Sequence, residues 1–437
     1  MRDKKKPFQR SISRTIEVRP QAKKELIVQG FLNVWESLFT SPVHLDSALS
    51  KQPVHLKSIL AQILPSVLLR PASQAEALGV GISPGEPWNL DLSGLAHWRP
   101  SQMVAERLYA MMAQPHLNID PVEEDFPSHM IAEWKSSWGE AITTDLIEVL
   151  GREAPLGIRV SRRVGASTLL GKFTAGPKLP VRIELSPLSP LGIRFSGYAP
   201  ILRTEWYQKG EFEIQDEGSQ LMALFALWPE RYGSILSAHP RKIRKLDLLP
   251  PPPPKDTPTW VVVDACAGAG GKSLALADAL KGKGRIYAYD VSDKKLMALR
   301  RRATRAGLNN IQSVVLQEGK ESEALERFKG KADVVLVDAP CTGWGVLRRN
   351  PDTKWRQDLS VLARLPLVQA RLLSLYSELV APGGRLVYGV CTFRVAETRE
   401  IVEQFSSQNP HFTAQEGGYL GPGPCDGFFM QSWMKKL

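Results

Sequence analysis

The chain has 437 residues, 43 % of them hydrophobic and 23 % charged, with four cysteines and an excess of Lys plus Arg over Asp plus Glu of 56 − 45 = 11. That length allows two or three domains with their own cores. The absence of any CxxC pair argues against zinc or disulfide frameworks, so no metal site is expected, and no run of about 18 apolar residues offers a membrane span. The positive balance, with a sequence pI near 9.4, points to a polyanionic partner, most often nucleic acid.

Residues 1–24 carry nine Lys and Arg and no apolar core. They read as a basic arm rather than a signal peptide. From 25 to 120 the apolar spacing of three and four in LIVQGFLNVWESLF, VHLKSILAQILPSVLL and MVAERLYAMMA predicts a helical domain. Residues 121–205 mix a helical stretch, MIAEWKSSWGEAITTDLIEVL, with short strands LGIRVS, PVRIEL and GIRFSGYA, the pattern of a small α/β module. Residues 206–437 form the fourth region, interrupted at 238–259 by a basic and proline-rich loop holding Arg241, Lys242, Arg244, Lys245 and five consecutive prolines, Pro250 to Pro254.

After that loop, WVVVDA, RIYAYD, QSVVLQ, DVVLVDA and RLVYGV alternate with helical segments. Such alternation predicts a parallel sheet with helices on both faces, its strands' C-terminal ends on one edge. Ligands of such sheets bind at that edge. The first strand runs into DACAGAGGKS. As a P-loop it lacks the first glycine, where Cys266 stands; as a G-x-G-x-x-G fingerprint it lacks the third, where Ser273 stands. A third reading fits better. The glycines admit an adenosine-bearing ligand close to the backbone, and Asp290, closing the second strand 20 residues past Gly270, suits its ribose hydroxyls. Glu318, near the end of the third strand, suits the adenine edge. This order is what an S-adenosylmethionine-dependent methyltransferase with a Rossmann-like α/β fold requires. The plainer reading of Asp290 is a helix cap. Arg300, Arg301, Arg302 and Arg305 could contact phosphates, although charge runs on surface helices are more often simply solvated.

Two cysteines follow the fourth and fifth strands, in VDAPCTGWG and YGVCTF. A thiol needs a positive neighbour to become reactive, and each has one in sequence: Arg348 and Arg349 beyond Cys341, Arg394 beyond Cys391. Elementary chemistry does not choose between the two thiols, and both could instead be small buried hydrophobes. For Cys425 the buried hydrophobe is the preferred reading.

DAPCTGWGVLRRNPDTKWR followed by YGVCTF resembles the RsmB/NSUN-type RNA (cytosine-5) methyltransferases. CAGAGGK resembles that family's cofactor motif, QDEGSQ its upstream element, PCDGFFM its closing segment, and FPSHMIAEWKSSWGEA with PLGIRV its RNA-binding module. The resemblance covers about 121–437, whereas for 25–120 a NusB-like domain is a guess. Departures include Ala269 where the family usually has Pro, and Val390 and Thr392 flanking the second cysteine.

The resemblance implies an enzyme forming 5-methylcytosine with S-adenosylmethionine as cofactor. Cys391 would be the nucleophile, Cys341 would assist product release, and Asp338, in protonated form, would bond the cytosine's nitrogen edge. Cys266, Ala267, Gly268, Ala269, Gly270, Gly271, Lys272, Asp290, Glu318 and Asp338 would hold the cofactor. The expected partner is ribosomal RNA, with transfer RNA as alternative, and the enzyme is expected to be a cytoplasmic monomer without membrane association. Rival readings are a non-catalytic RNA-binding assembly factor and a methyltransferase acting on DNA.

Overall fold

A computed structural model describes residues 120–437, apart from 177, 178, 180, 198, 239, 241–258, 318, 319 and 358, together with residues 30, 34 and 45–52. Contacts divide the chain into one unit of residues 1–68 with 74–119 and another of 69–73 with 120–437. In the first unit the described part includes a helix, Leu45–Ser50. The basic arm, most of the expected helical domain, the Arg241–Pro254 loop and Glu318 lie outside the described residues.

The second unit holds two sheets. The larger runs β10-β11-β9-β8-β5-β6-β7. Its parallel part comprises β5 (Trp260–Asp264), β6 (Gly284–Asp290), β7 (Ile311–Val315), β8 (Ala332–Asp338) and β9 (Val380–Val390). Valine-rich runs make these strands because branched side chains suit a pleat buried on both faces. The period of two is visible in the packing. Val263, Tyr287, Tyr289, Val335, Val337, Leu386, Tyr388 and Val390 enter one core; Val262, Ile286, Val334, Leu336 and Val387 enter the other. The first core is covered by α6 (Leu359–Ser377) and α7 (Arg399–Gln408), the second by α3 (Glu217–Leu227) and α4 (Gly271–Ala279). The fold is thus the Rossmann-like methyltransferase arrangement that the sequence predicts.

The sheet is mixed, however. β11 (Phe428–Lys435) pairs antiparallel with β9, and β10 (Phe412–Leu420) antiparallel with β11. The closing segment PCDGFFM therefore leads into a buried strand. The α6 helix is apolar and long enough to pass a composition test for a membrane span. It buries Leu362, Gln369, Leu373 and Tyr376.

The smaller sheet, β2-β3-β1-β4, is antiparallel and packs with α2 (Ala166–Ala175). It is built from β1 (Leu156–Val160), β2 (Ile183–Leu185), β3 (Gly192–Phe195) and β4 (Phe212–Ile214). The last strand lies beyond residue 205, where the sequence places the module's end. The first helix of this region, α1 (Ser128–Leu150), packs elsewhere: Phe126, Met130, Trp134 and Leu146 join the core of the larger sheet. Trp134 touches Trp344 and Phe393, with ring centroids 6.1 Å and 5.6 Å away. These aromatics lie in the two loops that carry the cysteines, so α1 braces both.

Candidate active site

In the larger sheet the chain passes from β5 to β6 and β7 on one side, then returns to β8 and β9 on the other. The crevice where this order reverses lies beyond Asp264 and Asp338, the ends of β5 and β8. The loop after β5 turns tightly there. Ala267 N–H donates to Tyr289 O at 2.8 Å, and Gly270 N–H to Ala267 O at 2.9 Å. Gly270 has φ +83°, and a Cβ would lie 2.4 Å from Leu299, so both backbone and space demand glycine. Gly268 has φ +54°, and its missing Cβ faces no atom within 4 Å. The backbone is open to a ligand at that point.

The Asp290 carboxylate accepts from Gly268 N–H at 2.8 Å and from Ser292 N–H at 2.8 Å. The helix cap proper is Ser292, whose Oγ accepts from Lys295 N–H at the start of α5 (Asp293–Ala306). Asp290 thus ties the glycine loop to the second strand and keeps lone pairs for ribose hydroxyls. Val291, next to it, is 68 % exposed, an apolar side chain beside the carboxylate that sequence reading missed. Asp264 was missed too. It is fully buried, its Oδ2 accepts from Ser273 Oγ at 2.5 Å, and its Oδ1 has no hydrogen-bond partner. Burial pushes its pKa up to about 7. An open glycine backbone, a ribose-type carboxylate beside an exposed apolar side chain and an orphaned carboxyl oxygen fit an adenosyl group. Burial drives the Cys266 thiol pKa well up.

The two strand ends bring the cysteines together. Asp338 is registered with Gly389 across the parallel β8/β9 pair. Cys341 and Cys391 then meet with 3.4 Å between their sulfurs. Their neighbours Thr342 and Thr392 are hydrogen-bonded at 2.9 Å, and Gly345 N–H donates to Cys391 O at 3.0 Å. The two loops therefore form one structure.

The cation at this site is none of the three arginines that sequence proximity suggests. Arg348 is spent on carbonyls of Arg152, Glu153 and Gly423. Arg349 binds Asp216 and Asp426, and Arg394 binds Glu133 and the Leu362 carbonyl. Lys272 takes the place instead, its Nζ 2.6 Å from Asp338 Oδ2. Burial opposes its charge, but the charge of Asp338, its hydrogen bond and the nearby Cys391 outweigh burial and raise the Lys272 pKa. Asp338 is thus paired with Lys272 in this structure, a partner that the sequence reading did not foresee. On the other thiol, the hydrogen bond from Cys391, burial, and the charges of Cys391 and Glu397 hold the Cys341 pKa well above its ordinary value.

Further arginines are structural. Arg302 and Arg305 both pair with the buried Glu213, and Arg300 bonds Ser313, so three of the four α5 arginines considered for phosphate contact have internal partners. Cys425 is 1 % exposed, a buried hydrophobe as expected.

Residues 252–420 match the family model described as "16S rRNA methyltransferase RsmB/F". A probable ribosomal RNA small subunit methyltransferase B of Bacillus subtilis is 30 % identical over 299 residues, covering 67 % of this chain and 59 % of that protein. The chain therefore spans under two thirds of that relative's length. A Synechocystis protein with the same description is 26 % identical over 387 residues, 86 % of this chain and 78 % of that one. Among solved structures, NSun6 from Pyrococcus horikoshii with the S-adenosylmethionine analogue SFG shares the fold: TM-score 0.56, 18 % identity, 71 % of this chain and 98 % of that one.

Proposed function

We propose that this chain, whose S-adenosylmethionine-dependent methyltransferase domain belongs to the RsmB/NSUN-type family, forms 5-methylcytosine in ribosomal RNA with Cys391 as nucleophile. The observation that carries the reading is the pair of thiols 3.4 Å apart, beside a Lys272–Asp338 ion pair at the mouth of an adenosyl-type loop. The names of the relatives make small-subunit ribosomal RNA the first substrate to test.

Carbon 5 of cytosine is a weak nucleophile until a thiolate adds to carbon 6. Splitting the reaction through a covalent adduct replaces one hard step by easier ones. Cys391, immediately past β9, supplies that thiolate. As carbon 6 is attacked, negative charge develops toward ring nitrogen 3 and oxygen 2. Lys272 is a buried cation positioned to balance it, and Asp338 orients both Lys272 and the base's polar edge. S-adenosylmethionine supplies the electrophilic methyl group when bound, held by the Cys266–Lys272 loop, Asp290 and Val291. A base, either Cys341 or a solvent water that it positions, then takes the carbon-5 proton, and the ring recovers its aromaticity as the carbon 6–sulfur bond breaks and Cys391 leaves as thiolate. The base must leave its stack to reach such a pocket, so a loop or otherwise single-stranded cytosine is the expected target.

The test is methyl transfer from labelled S-adenosylmethionine to ribosomal RNA, transfer RNA and DNA, with nucleoside analysis. Absence of 5-methylcytosine from RNA would sink the proposal. Cys391→Ala should abolish both turnover and adduct, while Cys341→Ala should accumulate a protein–RNA adduct, visible as a slow band on a denaturing gel. The opposite pattern would exchange the two roles.

A further inference from the structure

One fully buried acid beside the thiols has no part in the chemistry above. Glu397 lies in the short turn Val395–Glu397 after the Cys391 loop and is fully buried. Its Oε2 accepts from Thr342 N–H at 2.9 Å and from Gln369 Nε2 at 2.8 Å. The same Gln369 nitrogen donates to Pro340 O at 2.9 Å. Pro340 and Thr342 flank Cys341, so one carboxylate and its amide partner grip the peptide on both sides of that thiol. The backbone of Glu397 serves the other loop, its carbonyl accepting from Tyr388 Oη at 2.8 Å, three residues before Cys391.

We propose that Glu397 is a positioning residue that clamps the Cys341 peptide and keeps the proton shared by the two sulfurs on Cys341, leaving Cys391 as the thiolate. The inference rests on the reading that Cys391 attacks. Two features favour an ionised Glu397. Burial raises its pKa, but the Thr342 and Gln369 hydrogen bonds to Oε2 oppose that shift, and so does the charge of Arg394. Arg394 stands 3.9 Å from Oε1 but is shared with Glu133 of α1, near His129. Among the described residues, further ionisable groups near the sulfurs include Lys272, Asp338 and the Tyr388 hydroxyl. The field is therefore uneven. The Glu397 carboxylate is bonded to the peptide beside Cys341, the Lys272–Asp338 pair stands on the Cys391 side, and a proton between two sulfurs 3.4 Å apart favours the one nearer the carboxylate.

The experiment is iodoacetamide labelling of the full-length protein across pH, read at each cysteine by peptide mass spectrometry, with no RNA present. In the wild type Cys391 should label at lower pH than Cys341. Glu397→Gln keeps an acceptor for Thr342 and removes the charge, so the Cys341 midpoint should fall by about one unit, roughly tenfold more thiolate at a fixed pH. In methyl transfer kcat should fall with KM for RNA unchanged. Glu397→Asp keeps the charge and should leave Cys341 the later thiol. A folded Gln variant with an unmoved Cys341 midpoint overturns the role of Glu397, and so does an Asp variant in which that midpoint falls by a full unit. If the wild type labels Cys341 first, the assignment of Cys391 as nucleophile falls with it. If the wild-type order holds and only the Gln variant disagrees, that assignment stands and the clamp alone is lost.

Discussion

Arg349→Ala tests whether three distant motifs are held by one side chain. The Arg349 guanidinium donates to Asp216 Oδ2 at 2.8 Å, Asp426 Oδ2 at 2.5 Å and Pro155 O at 3.0 Å. It thereby joins the upstream QDEGSQ element, the Cys341 loop and the closing PCDGFF segment. The Asp426 side chain is 2 % and that of Asp216 8 % exposed, whereas that of Arg349 is 28 % exposed. Removing one partner of a buried pair costs about 3–5 kcal/mol, because the other charge is left without compensation. The partial exposure of Arg349 argues for the lower end, about 3 kcal/mol. At roughly 2 °C per kcal/mol for a unit of this size, the melting temperature should drop by about 6 °C. The loss should also depend on pH. Burial, reinforced by the Asp216 charge, holds Asp426 up at about 7 even with Arg349 present. Its pKa is thus raised on folding, so its contribution to stability falls as pH rises from the ordinary carboxylate range toward 7. Without Arg349 the pKa rises further, and the decline continues past that point. The difference between variant and wild type should therefore be smallest below about pH 6 and widen above pH 7. Denaturant unfolding from pH 5.5 to 8.5 measures it. A loss under about 1 kcal/mol, or one that does not change with pH, would refute the reasoning.

Two further outcomes follow from the geometry of the cysteine loops. With sulfurs 3.4 Å apart, diamide should close a Cys341–Cys391 disulfide, stop methyl transfer and be reversed by dithiothreitol; peptide mapping that finds both thiols unlinked after treatment would contradict the spacing. At Gly345 a Cβ would stand 1.9 Å from the Gly427 carbonyl oxygen. Gly345→Ala should therefore push the Cys341 loop off the closing segment, costing about 1–3 kcal/mol as an overpacked site does and lowering turnover more than tenfold; wild-type melting and activity would mean that the loops do not meet as described.

What the sequence reveals about the fold follows from how locally each feature is encoded. The five parallel strands announce themselves because β-branched runs buried on both faces need no partner to be recognised. FFMQSWMK, by contrast, is a strand with little β-branching. Its Phe428 and Met430 pack into one core and its Phe429 and Trp433 into the other, which only the assembled sheet reveals. The stretch at 128–150, kinked at Gly139 (φ +78°), reads correctly as helical, but its attachment to the larger sheet depends on Trp134 meeting aromatics more than 200 residues away.

The site divides in the same way. Two cysteines at adjacent strand ends are legible in the chain, since parallel strands deliver their C-terminal ends to one edge. Their electrostatics are not, because the controlling charges come from elsewhere in the chain: Lys272 from the loop after β5, and Glu397 through a peptide hydrogen bond to residue 342. The arginines show why proximity in sequence misleads. Arg348, Arg349 and Arg394 stand within eight residues of one of the paired cysteines, yet each is committed to carboxylates or carbonyls at least 30 residues off. Arg159, Arg194, Arg302 and Arg305 are similarly consumed by Asp278, Glu217 and Glu213. A surplus of eleven positive charges over the whole chain therefore does not map onto a phosphate-binding face residue by residue. Much of the guanidinium in the described residues cements the catalytic unit. Substitutions at these arginines should be read first as losses of stability, and as losses of RNA affinity only where melting is unchanged.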